Sequence, residues 1–109
     1  MNKQLFKGAL LETILLNLLD EKEEQGLHGY AFILLLRKRY GVYMSASKIY
    51  PELKLMEEKD LASSSWIMHG ERPRNVYKIT KKGKKLLTEY YKQLKIIVPS
   101  LEEIWKKTL

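Results

Sequence analysis

Over three stretches of the first sixty residues, apolar side chains recur every third or fourth position, the spacing that gathers them on one side of a helix. The first stretch runs from Lys3 to Leu19, where Leu5, Phe6, Ala9, Leu10, Leu11, Ile14, Leu15, Leu16, Leu18 and Leu19 cover more than one face. A helix in so small a domain rarely buries that much apolar surface in its own subunit, so part of it is expected to meet a partner chain. "DEKEEQG" (Asp20 to Gly26) is polar, charge-dense and closed by glycine, and reads as a turn. A second helix is expected from His28 to Arg39, with Tyr30, Ile33, Leu34 and Leu36 facing inward. "RKRYG" ends it with cations in the last turn and Gly41 just beyond.

The third stretch, "SASKIYPELKLMEE" (Ser45 to Glu58), carries Ile49, Leu53 and Met56 at i, i+4 and i+7. Either Ser45 or Ser47 can cap it. Pro51 lies inside, and a proline in a helix interior costs roughly 3 kcal/mol through a lost hydrogen bond and a crowded preceding turn. With Ser47 as the cap, Pro51 is the fourth helical residue and removes only the first intrahelical bond. With Ser45 as the cap it sits deeper and costs more.

After Leu61 the period changes. "SSSWIM" (Ser63 to Met68) and "NVYKIT" (Asn75 to Thr80) are short runs with β-branched or aromatic residues on either side of "HGERPR", the pattern of a β-hairpin with a basic tip. From Lys81 a last helix carries Leu86, Leu87, Tyr90, Tyr91, Leu94, Ile97, Val98, Leu101, Ile104 and Trp105, with a kink expected at Pro99. The fold class is therefore mainly α with a small β-hairpin, with residues 1–80 as the principal unit and 81–109 as a helical arm. Repeats, low-complexity tracts and interdomain linkers are absent from the sequence.

Composition narrows the chemistry. At 109 residues, 45% hydrophobic and 30% charged, the chain suits one globular domain with a modest core. It contains no cysteine, which excludes disulfides, thiol nucleophiles and cysteine-based zinc sites. The two histidines, His28 and His69, are too few for a metal site; no cofactor is expected. A glycine-rich phosphate loop and a nucleophile–base pairing are also missing, so no enzyme activity is expected. No apolar run reaches the ~18 residues of a bilayer span, and the N-terminus lacks a signal-peptide layout. The expectation is a cytoplasmic protein with no membrane partner.

Charge adds direction. Residues 1–60 hold nine Lys/Arg and nine Asp/Glu, whereas residues 61–109 hold eleven Lys/Arg and four Asp/Glu, so the whole net charge of +7 lies in the second half. Such asymmetry suits a polyanion, nucleic acid before membrane, although a solvated lysine-rich surface would read the same way.

Three helices, a basic-tipped hairpin and a long amphipathic helix follow the order of a winged helix-turn-helix with a C-terminal dimerisation helix. Three segments then resemble a known family: "HGY" (His28 to Tyr30), "SASKIYPELKLMEEKDL" (Ser45 to Leu61) and "RPRNVYKITKKG" (Arg72 to Gly83) are similar, in order and spacing, to signatures of PadR-family transcriptional regulators. The resemblance covers roughly residues 5 to 90. It implies that the third helix reads the DNA major groove and that the hairpin is a wing. On that reading Ser45, Ser47, Lys48, Tyr50 and Lys54 form the DNA face of the helix, and Arg72 and Arg74 that of the wing. Two positions depart from the family pattern: Asp60 stands where the family usually has a glycine, and Lys48 where a small hydroxyl residue is common. Aspartate tolerates the left-handed conformation, so the turn at 60 is expected to survive.

The expected partners are double-stranded DNA and a second copy of the chain, joined through Leu10, Ile14, Leu87, Tyr91, Leu94, Val98, Leu101 and Trp105. A small-molecule effector near that interface is the further partner the resemblance implies. Two alternatives remain at this level: a winged-helix module for protein interaction, and a weakly specific architectural DNA binder.

Overall fold

The helical and alternating patterns become four helices and three strands in a computed structural model, which describes residues 3–108 and, for side chains, Gly8 onward. The order is α1 (Lys3–Glu21), β1 (Leu27–His28), α2 (Gly29–Tyr40), α3 (Ala46–Glu58), β2 (Ala62–His69), β3 (Arg72–Ile79) and α4 (Lys81–Thr108). The strands form one antiparallel sheet in the order β1-β3-β2. β1 was not visible in the sequence pattern: two residues, Leu27 and His28, pair with Tyr77 and Val76.

The core gathers Leu15, Leu16, Leu18 and Leu19 of α1, Phe32 and Leu36 of α2, Ile49, Leu53 and Met56 of α3, Tyr77 of β3 and Leu87 of α4. Phe32 meets the Tyr77 ring edge-on, with centroids 6.3 Å apart. α1 packs on both β3 and α4, so its broad apolar surface is largely absorbed within the subunit. Leu10 remains exposed, while Ile14 is half-buried against the core; Leu5 and Phe6 lie outside the described side chains.

α2 corrects the expected inward face. Phe32, Ile33 and Leu36 are buried, whereas Tyr30 is 56% exposed and Leu34 also faces solvent. In the run Ala31–Leu36 every position is apolar, so the period cannot set the rotation of the helix; packing of Phe32 against Tyr77 does. α4 runs on through Pro99 as one element. Its contacts with α1 run antiparallel: Tyr91 hydrogen-bonds Asn17, Tyr90 reaches Glu12, and Leu94 and Ile97 lie near Ala9 and Leu10.

The end of α3, the start of β2 and the start of α4 meet at Leu61. Asp60 adopts φ 60°. Its N–H bonds to the Glu57 carbonyl at 2.9 Å, and the Leu61 N–H bonds to the Met56 carbonyl at 2.8 Å, the paired bonds of a Schellman turn. The aspartate thus does what the family glycine was expected to do. Thr80 then locks the corner: its hydroxyl donates to the Asp60 carbonyl (2.6 Å) and its N–H to the Leu61 carbonyl (3.1 Å). The same hydroxyl accepts the Gly83 N–H at 3.0 Å, capping α4 at its third residue. Gly83 is buried so tightly that a Cβ there would overlap the Leu61 carbonyl.

Two substitutions test this corner by urea denaturation. Asp60→Gly removes the cost of a side chain in left-handed geometry and is expected to raise stability by up to about 1 kcal/mol. Gly83→Ala must push α4 off the Leu61 backbone and is expected to cost at least the ~1–3 kcal/mol of ordinary overpacking. An unchanged midpoint for Gly83→Ala would show that the contact is not tight.

Candidate nucleic-acid interface

With Ile49, Leu53 and Met56 buried, the rotation of about 100° per residue fixes the rest of α3. Ser47, Pro51, Lys54 and Glu58 form the outward line, and Lys48 and Tyr50 stand on its two flanks, all of them exposed. Ser45 is the cap residue, in extended geometry (φ −79°, ψ 161°), and its carbonyl accepts the Lys48 and Ile49 N–H groups at 3.1 Å. Its hydroxyl makes no capping bond and lies 2.8 Å from the Ser47 hydroxyl. The first turn thus keeps donors that no side chain caps, beside Lys48. Because α3 begins at Ala46, Pro51 lies deeper than the fourth position. The carbonyl it leaves without an α-helical partner is that of Ser47, an exposed residue, so water can satisfy it.

The hairpin is longer and tighter than the sequence suggested. His69 pairs with Arg72, leaving only Gly70 and Glu71 in the turn, with Gly70 at φ 65° as the first central residue of a type II′ hairpin requires. Arg72 and Arg74 are therefore on strand β3 rather than in the tip. Strand alternation puts Arg72, Arg74 and Lys78 on one face, together with His69 from β2 and His28 from β1. The other face carries Asn75 and Tyr77, with Trp66, 70% exposed, directly across from Asn75. The described ion pairs join Arg39 to Glu21, Lys59 to Glu12, Lys84 to Glu23 and Lys92 to Glu89, so none of them involves Lys48, Lys54, Arg72 or Arg74.

A cleft of about 500 Å³ separates α3 from the wing. His28, Tyr30, Tyr50, Trp66, Arg74 and Asn75 are among its lining residues. Tyr50 is placed there by Gly29: any side chain at 29 would overlap the Tyr50 ring, so the glycine of "HGY" and the tyrosine before Pro51 form one contact. The pattern pointed to Tyr50 and Arg74 but missed His28, Tyr30, Trp66 and Asn75 as neighbours. Alternation within "SSSWIM" was the available signal for Trp66; β1, which positions His28, gave none. Asn75 Nδ2 reaches the Tyr77 hydroxyl at 3.5 Å, and Asn75 Oδ1 is buried without a partner. Burial, then the positive charge of Arg74, then His69 lower the pKa of His28 from its usual 6.5.

The expected dimerisation residues divide. Leu87 is only 2% exposed and belongs to the subunit's own core, because α4 lies against α1 over its first turns, and Ile14 packs there too. Leu94 is half-buried beside α1. Leu10 of α1 is exposed, as are Tyr91, Val98, Leu101 and Trp105 of α4, with Ile97 and Ile104 beside them on the same helix. Among the described residues no group of three or more His, Cys, Asp and Glu could hold a metal ion, and no helix is long and apolar enough to cross a membrane.

A helical trio, an exposed third helix and a hairpin with a cationic face are the parts of a winged helix-turn-helix. The chain belongs to the transcriptional regulator PadR-like family, whose model matches residues 15–89. Solved structures agree. A PadR-like transcription factor from Bacteroides fragilis superposes with a TM-score of 0.78 at 25% identity, over 94% of this chain and 96% of that one. A PadR-like regulator from Bacillus cereus gives 0.80 at 24% identity, over 94% and 97%. Bacillus subtilis PadR, solved in complex with operator DNA, gives 0.64 at 26% identity and is matched over 46% of its length by 74% of this chain. No curated protein matches the chain.

The lowered His28 pKa carries a stability prediction. The unfolded chain takes up this proton near pH 6.5 and the folded chain only at lower pH, so protonation favours unfolding. His28's contribution to stability is full above pH 6.5 and declines as pH falls through that value toward the folded pKa. Melting curves between pH 7.5 and 5.5 should show this decline, and His28→Asn should flatten it; an equal slope in the variant would contradict the assignment.

Proposed function

We propose that the chain is a DNA-binding transcriptional repressor that binds a pseudo-palindromic operator as a homodimer. One observation carries the reading: the helix that bears Lys48 and Lys54 and the strand that bears Arg72 and Arg74 meet at one cleft, through Tyr50 and Arg74, and none of the described ion pairs engages these four cations. α3 would lie in the major groove, with Ser45, Ser47, Lys48 and Lys54 toward the DNA. Arg72 and Arg74 would follow the adjacent backbone or minor groove, and a strand would pass along the cleft beside Tyr50. Residues 1–80 would be the binding unit and 81–109 the arm, acting in the cytoplasm where the DNA is.

The support for a second copy is the stripe of α4. Leu101, Ile104 and Trp105, the last 63% exposed, follow Tyr90, Tyr91, Leu94 and Ile97, the residues of α4 beside the described part of α1, and a contiguous apolar surface of that kind marks an interface. Two arms packed together would set the recognition helices about one turn of DNA apart, roughly 34–36 Å. The cavity of about 330 Å³ between α1 and α4, beside that stripe, is where a small-molecule effector would be accommodated.

Binding to a duplex selected from a random pool tests both halves. Arg72→Ala with Arg74→Ala is expected to weaken affinity for all sequences alike and to reduce the salt slope by up to about 2; an unchanged slope would remove the wing from the interface. Leu101→Glu is expected to sediment as a monomer and to lose at least tenfold in operator affinity, roughly 1.4 kcal/mol. A variant that stays dimeric would place the seam elsewhere.

A further inference from the structure

Glu12 is the one buried charged residue among those described, 7% exposed in the middle of α1. Its two carboxylate oxygens are used by two different elements. Oε1 accepts the hydroxyl of Tyr90 in α4 at 2.9 Å, and Oε2 accepts Nζ of Lys59 at 3.1 Å. Lys59 is the residue that closes α3, immediately before the Asp60 turn. The partners lie 78 and 47 residues away in sequence, so no local pattern announces the group. A buried carboxylate held this way is costly to leave unpaired, and it therefore constrains both partners' positions at once. Burial, followed by the hydrogen bond to Glu12 and its charge, pushes the Tyr90 pKa up to about 12, so the phenol stays a donor.

We propose that Glu12 is a positioning residue for DNA recognition: it sets the C-terminal end of α3 relative to the arm by holding Lys59 and Tyr90 on one carboxylate. The proposal rests on the reading of α3 as the recognition helix and of α4 as the dimer seam. Tyr90 also lines the cavity between α1 and α4, opposite Leu10 and beside Leu94 and Ile97, so the arm has space to shift there. Any slide or rotation of the arm moves the Tyr90 hydroxyl, and the carboxylate carries that movement to Lys59. The geometry of the dimer and the tilt of the recognition helix are in this way one variable. Neither Glu12 nor Tyr90 lines the cleft between α3 and the wing.

The test reads geometry rather than stability. Two copies of a selected half-site are joined by spacers varied one base pair at a time, each about 3.4 Å of rise, and affinity is measured across the series. Wild-type protein should show a sharp spacing optimum. Tyr90→Phe, Glu12→Gln and Lys59→Met should each flatten or shift that optimum, with affinity at the wild-type spacing falling at least fivefold, and Lys59→Arg should restore it. Leu36→Val, a core truncation outside the group, supplies the control for lost stability and should keep the wild-type profile. If the wild type has a sharp optimum and all variants share it, the proposal is overturned. If the wild type shows no spacing preference at all, the functional reading fails and the proposal fails with it.

Discussion

Everything in this molecule hangs on the corner at Leu61. There the recognition-type helix ends, the sheet begins, and the long C-terminal helix starts against the same few backbone atoms. Three hydrogen bonds through one threonine fasten it: Thr80 to the Asp60 and Leu61 carbonyls, and Gly83 to the Thr80 hydroxyl. Buried backbone groups must find partners, and this corner satisfies those of three elements in one place. Because Gly83 leaves no gap at Leu61, the first turn of α4 is seated directly against the close of α3. On the proposed function, this corner is where the helix assigned to DNA meets the arm assigned to a second subunit, so the two are mechanically connected.

The second constraint is the aromatic packing around α2. Phe32 and Tyr77 set its rotation, and Gly29 lets the Tyr50 ring close over its first turn. These contacts join α2, α3 and β3, so α3 is held from both ends: by Tyr50 near its start and by Lys59 and the Asp60 turn at its close. Its outer side is left to solvent, with Pro51 placed where a missing N–H costs least. The cations that matter to the proposed function stand on this frame, while the acidic residues that form ion pairs engage others: Arg39, Lys59, Lys84 and Lys92.

Much of this was legible in the sequence, for physical reasons. Periods of three to four residues with flanking turns located all four helices, and the buried set of α3 followed directly from Ile49, Leu53 and Met56. Within the segment "RPRNVYKITKKG" three residues prove to be structural chemistry: Tyr77 packs on Phe32, Thr80 fastens the corner, and Gly83 allows the close approach. What was not legible depended on contacts far apart in the chain. The uniformly apolar run of α2 hides which side faces inward, and Tyr30 and Leu34, expected inside, face solvent. Arginines and a proline around "ERPR" looked like a wide turn, but glycine at 70 permits a two-residue one and keeps Arg72 and Arg74 in the strand. Leu87 shares the apolar stripe of α4 with Leu101, and nothing in the period tells that the first is buried in the core and the second exposed. Glu12 sits among leucines with nothing local to mark it.

The central claim, a site-specific DNA-binding dimer, is tested most directly by fluorescence anisotropy. The protein would be titrated into a duplex of the DNA upstream of its own gene and into a scrambled duplex, each at two salt concentrations. The account predicts a preference of ~10³-fold or more for the upstream site, with affinity falling steeply as salt rises. Equal affinity for both duplexes, or no binding at low salt, would contradict it.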